Sequence, residues 1–140
     1  MSERPALKSA YLISGSDRPK VEHAVHRLRA RFLDEAVEIV SALELTGPDV
    51  VTLCNSGSLF GDARLVLVTD IDGRKKEENR PPTGGWKAAD VEACVTYLAA
   101  PAPDTVLAVV GLEVKKDAAI AKACAKVGDL LIFDVAKRGR

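Results

Sequence analysis

Apolar residues fall into two alternating patterns along the chain. Short runs stand at Tyr11-Leu12-Ile13-Ser14, Val37-Glu38-Ile39-Val40, Arg64-Leu65-Val66-Leu67-Val68, Thr105–Val110 and Leu130-Leu131-Ile132-Phe133. Between them, apolar residues recur every three or four positions. Runs of this length predict strands, and the recurring segments predict amphipathic helices. Val21, Val25, Leu28 and Phe32 form the stripe of a first helix, expected from an Asp17 N-cap, through Pro19 in the first turn, to near Ala36. A short helix is expected over Asp49–Cys54, and a longer one over Ala88–Ala99 with Val91, Cys94, Val95 and Leu98 on one face. Asp117 is the expected cap of a last helix that turns Ile120, Cys124 and Val127 inward. Gly128 then stands where a left-handed C′ residue would end it.

The resulting order is β-α-β-α-β-α-β-α-β. The runs at 64–68 and 105–110 are apolar without alternation, as in parallel strands covered on both faces. Right-handed crossovers then give a three-layer α/β domain around an open, mostly parallel sheet of five strands. Residues 72–85, with Arg74-Lys75-Lys76-Glu77-Glu78 and Pro81-Pro82, are too polar to bury surface and are expected to form a mobile loop.

Composition narrows the function. The chain has 140 residues, 47% hydrophobic and 29% charged, which suits one soluble domain spanning 1–140. It has no apolar run of bilayer length and no secretory h-region. Twenty Lys and Arg balance twenty Asp and Glu, so there is no basic excess of the kind that carries nucleic-acid binding. Cys54, Cys94 and Cys124 form no CxxC pair. They read as small buried residues of a reducing cytoplasm, not as disulfides or zinc ligands. His23 and His26 read as a surface pair, and Arg27, Arg29 and Arg31 as a solvated face.

The first strand-to-helix turn is where a phosphate loop would lie. Counting G-x-x-x-x-G-K-[ST] from Gly15 puts Lys20, Val21 and Glu22 at the Gly, Lys and hydroxyl positions, and Pro19 removes an amide donor. The remaining enzymatic reading is a small Mg²⁺-dependent nucleotide or phosphate enzyme, with Lys20 as a displaced phosphate lysine and Asp70 and Asp72 as metal ligands at a strand end. Acidic turn formers after a strand are the stronger explanation of the two aspartates. No catalytic residue, nucleotide-binding residue, metal ligand or cofactor is otherwise expected.

The most informative feature is Ser58-Leu59-Phe60-Gly61-Asp62, an adjacent large apolar pair between Gly57 and Gly61. Either the pair folds back onto the core, or it projects to enter a partner's pocket.

Three segments carry a resemblance to a known family. They are Tyr11–Gly15, Ser58–Val68 and Pro101-Ala102-Pro103-Asp104-Thr105-Val106-Leu107, together with the Lys115-Lys116 region. In this order they resemble the N-terminal domain of the delta subunit of the bacterial DNA polymerase III clamp loader. The resemblance implies a degenerate P-loop, AAA+-like fold without a working nucleotide site. It implies a cytoplasmic, non-catalytic module that binds and opens the ring-shaped sliding clamp (the beta subunit). Leu59 and Phe60 match the family's inserting pair, and Ser58, Gly61 and Asp62 adjoin it. Other clamp-loader subunits would be partners in a full-length protein, and DNA would be met only indirectly. The family's helical and collar domains have no counterpart in these 140 residues, and this domain alone is expected to be a monomer.

Overall fold

A computed structural model describes residues 7–57, 63–73 and 84–135. Five strands, β1 (Ala10–Ser14), β2 (Val37–Ser41), β3 (Arg64–Thr69), β4 (Thr105–Gly111) and β5 (Gly128–Ile132), alternate with four helices, α1 (Arg18–Arg29), α2 (Gly47–Asn55), α3 (Ala88–Leu98) and α4 (Ala119–Val127). All strand pairs are parallel, in the order β2-β3-β4-β1-β5. The expected three-layer parallel α/β architecture is therefore the observed one.

The order follows from crossover handedness. The β1-α1-β2 connection runs one way along the sheet, and the three later connections run the other way. With one hand throughout, α1 lies on one face, and α2, α3 and α4 pack side by side on the other. Strand side chains divide by parity between the two cores. Leu12, Val66, Val68, Leu107 and Val109 meet Val50, Cys54, Cys94, Leu98 and Cys124 of the three-helix layer. Ile13, Leu65, Leu67, Val106 and Ala108 meet Val21 and Leu28 of α1. This double coverage is why β3 and β4 read as unbroken apolar runs.

Local signals set most of the ends. Asp17 caps α1, accepting from the Lys20 amide at 3.4 Å. Thr46 and Asp49 form a reciprocal capping box that starts α2 two residues before its expected beginning.

Three expectations need correction. The first helix stops at Arg29, not near Ala36. Tight turns follow (Arg31 N–H to Leu28 O and Phe32 N–H to Arg29 O, both 3.1 Å), then a single 3₁₀ turn at Asp34–Ala36. Phe32 still reaches the α1-side core from that turn, so its place in the stripe did not require helix. Ala118, not Asp117, occupies the N-cap of α4. Gly128 is not left-handed: its φ of −162° is extended backbone, and it is already the first residue of β5. It is glycine because the chain passes straight from helix into the sheet against β1. A Cβ built there would lie 1.6 Å from the Ala10 carbonyl oxygen.

Candidate functional site

The turn after β1 is where a nucleotide would sit in an open α/β sheet. Here its amides are already engaged. Asp17 N–H donates to Phe133 O at 2.9 Å, Ser16 N–H donates to the Asp134 carboxylate at 3.1 Å, and Val135 N–H donates back to Ser16 Oγ at 2.9 Å. The segment after β5 thus covers the first turn. Gly15, at φ 139°, is needed for that approach, since a Cβ would fall 2.0 Å from Phe133 O. At the helix N-terminus, where a phosphate would find free amides, the Asp17 carboxylate supplies the negative charge.

Arg18 lines the neighbouring crevice, a cavity of about 310 Å³ between α1 and the ends of β3 and β4. Its Nη1 donates to Gly15 O at 3.1 Å and to Gly111 O at 3.3 Å, bridging the ends of β1 and β4. Ser14 Oγ accepts from the Val114 amide at 2.9 Å across the same gap.

The residues considered for a Mg²⁺ site are each engaged by other side chains or amides of the fold. Lys20 Nζ lies 3.8 Å from Asp17 Oδ2, a partly exposed i,i+3 pair. Asp70, left-handed at φ 61°, accepts from Ser41 Oγ at 3.0 Å and Thr69 Oγ1 at 3.1 Å. The Asp72 carboxylate caps the turn after β4, accepting from the Leu112 amide at 2.9 Å and the Glu113 amide at 2.7 Å. These bonds tie the turn after β3 to the end of β2 and to the turn after β4, contacts between segments distant in sequence. Among the described residues no group of three or more His, Cys, Asp and Glu side chains is placed to hold a metal. His23 and His26 are exposed on α1.

The clamp-binding candidates Ser58, Leu59, Phe60, Gly61 and Asp62 lie outside the described residues, as do residues 74–83 of the expected 72–85 loop. What the structure gives is the frame on either side of 58–62. α2 ends at Asn55, with Ser56 as its C-cap, and Gly57 turns the chain at φ 78°. Arg64, the first residue of β3, reaches back across the gap. Its Nη1 lies 2.7 Å from Leu53 O, 2.9 Å from Ser56 Oγ and 3.1 Å from Gly57 O. One guanidinium therefore ties Arg64 to the end of α2 and to Gly57, while the Arg64 amide bonds Asp104 O at 2.9 Å. Arg64 was legible only as a strand residue, because the acceptors it finds are set by the fold.

Behind this frame, the α2–α4 layer holds a polar inclusion. Cys54, Cys94 and Cys124 are all fully buried there. Burial raises the Cys54 thiol to about 11, with a hydrogen bond to Tyr97 working the other way, and raises Cys94 and Cys124 to about 12. The Tyr97 hydroxyl, raised to about 12 by burial, accepts the Ala102 amide at 3.1 Å. Asp90 joins two helix starts, accepting from the Gly47 amide at 2.9 Å and the Lys87 amide at 3.0 Å. Those bonds, the Gly47 one first, hold its carboxyl below the ordinary range.

No protein-family model matches the chain, and no curated protein matches it. Solved structures do. The arrangement described above is similar to a clamp-loader delta-like α/β domain. In particular it matches the Bacillus subtilis DNA clamp loader delta protein (YqeN), with a TM-score of 0.70 at 20% identity. The match covers 91% of this chain and 39% of that one, so the chain spans about two fifths of that protein's length.

Proposed function

We propose that this chain is a clamp-loader delta-type module that binds a sliding clamp and favours its open form, with Leu59 and Phe60 as the inserting pair. The observation that carries the reading is the shared fold with a clamp loader delta protein over 91% of the chain. Two local features support it. The first turn's amides are engaged within the protein, which suits a non-catalytic member of an ATPase-like fold. The described residues that flank 58–62 are tied together by Arg64, which suits an inserting pair held at a fixed place. Other clamp-loader subunits are further partners in this reading, and any contact with DNA is indirect.

Ring opening by this route needs no covalent chemistry. A module that binds the open ring more tightly than the closed one shifts the population by that difference in affinity. Burying two large apolar side chains contributes roughly 3–6 kcal/mol before ordering costs.

The test is surface plasmon resonance of the chain over an immobilised bacterial sliding clamp. Leu59→Ala with Phe60→Ala is expected to weaken binding by about a hundredfold or more. Its melting temperature should stay within about 2 °C of the wild type, as for surface substitutions. A large fall in melting temperature would show that the pair belongs to the core, and unchanged affinity would remove the clamp reading.

A further inference from the structure

The sheet has an edge that this function does not use. Among the described residues β2 pairs with β3 alone. At its two ends the outward groups are already used, since Val37 N–H donates to Asp34 O and Ser41 O accepts from the Glu44 and Leu45 amides, so the open edge centres on the Ile39 N–H and C=O. Val37–Ser41 contains no proline and no lysine, and its one charged residue is the acidic Glu38. α1 packs over β1 and β5, at the other side of the sheet. On the α1 side of β2, Ile39 is accordingly 47% exposed, and Leu33, at the turn leading into the strand, is 56% exposed. They are two of only three large apolar side chains exposed among the described residues.

Charge names the occupant. Between Arg31 and Arg64 the chain has no lysine or arginine, while Asp34, Glu35, Glu38 and Glu44 surround the strand, all exposed. None of these four makes an ion pair with a described residue. A second copy pairing antiparallel about Ile39 would bring two acidic rims together, and a nucleic acid would meet the same repulsion.

We propose that the β2 edge takes an extended, lysine- or arginine-rich segment of a partner protein as a sixth strand. In this arrangement main-chain bonds supply affinity, and alternate apolar residues of the partner cover Ile39. The remaining partner side chains place cations over the acidic rim.

The probe is a fluorescein-labelled Lys-Val-Lys-Val-Lys-Val-Lys peptide, with the Glu-for-Lys version as control, titrated into the full chain by anisotropy. Saturable binding of the basic peptide is expected, at least tenfold weaker after Glu35→Lys with Glu38→Lys. Ala42 N–H bonds to Thr69 O of β3, so by strand alternation the Ile39 N–H faces outward. Ile39→Pro should therefore abolish binding while the β2–β3 ladder stays intact. If that variant fails to fold, amide NMR shifts in the wild type decide, and they must centre on residues 37–41. Equal binding of the acidic peptide, shifts centred elsewhere, or self-association of the chain through β2 in sedimentation would each overturn the proposal.

Discussion

Replacing Arg64 with methionine tests whether the frame around residues 58–62 positions the inserting pair. The substitution keeps most of the aliphatic stem and removes the guanidinium. Three acceptors lose a partner, unequally. Leu53 O keeps the Ser56 hydroxyl at 2.7 Å, and Gly57 O and Ser56 Oγ are exposed enough to take water. No buried acceptor is orphaned, so the loss is that of about one charge-assisted bond, ~1–2 kcal/mol. For a chain of this size that is a fall of about 3–8 °C in melting temperature. The effect on binding is separate. If one or two loop residues must then be ordered on contact, association loses ~1–3 kcal/mol, a fall of roughly five- to a hundredfold in affinity. Scanning fluorimetry reads the first quantity, and surface plasmon resonance over the clamp reads the second. Combining Arg64→Met with Leu59→Ala and Phe60→Ala should add little further loss, because there is then no pair to position. A variant that melts early yet binds within twofold of the wild type would refute the positioning argument while leaving the clamp reading intact.

Asp90→Asn should cost about 1 kcal/mol near pH 7 by weakening the bonds from the Gly47 and Lys87 amides. Because the folded carboxyl titrates below its unfolded value, that difference should be present above about pH 4 and vanish as pH falls through the folded pKa, which urea titrations at several pH values would reveal. With thiols raised to about 11 and 12, all three cysteines should resist Ellman's reagent in the native protein, and three should react in guanidinium. Fast labelling without denaturant would contradict the buried cluster. Gly128→Ala, which drives a methyl into the Ala10 carbonyl, should destabilise by about 3 kcal/mol or more, and a native-like melting curve would show that the helix-to-strand junction can relax.

The strands were legible because burial on both faces leaves an unmistakable apolar run, as in Leu65–Val68 and Val106–Val110. Capping chemistry marked the start of α1. The errors lie where tertiary contact overrides local preference. Phe32 continues the helical stripe but reaches the core from a turn, and Gly128 is required by the nearness of a strand over a hundred residues away. The failed phosphate-loop count at Gly15 was readable from spacing alone. The reason Gly15 is glycine was not, because Phe133 comes against it only in the folded sheet. The same holds for Asp72, whose amide donors at 112 and 113 are distant in sequence, and for the three cysteines, which meet only when α2, α3 and α4 lie side by side.

The position of β1 between β4 and β5 has a consequence for synthesis. Of the five strands, the first to leave the ribosome has as its sheet neighbours the fourth and fifth. At about 5–20 residues per second, Ala10–Ser14 waits roughly 5–20 s with both edges bare before residues 105–111 emerge. A nascent chain stalled before β4 would hold β2 and β3 ready to pair while its most apolar N-terminal segment stayed unclaimed, open to chaperone capture or to a strand from another chain.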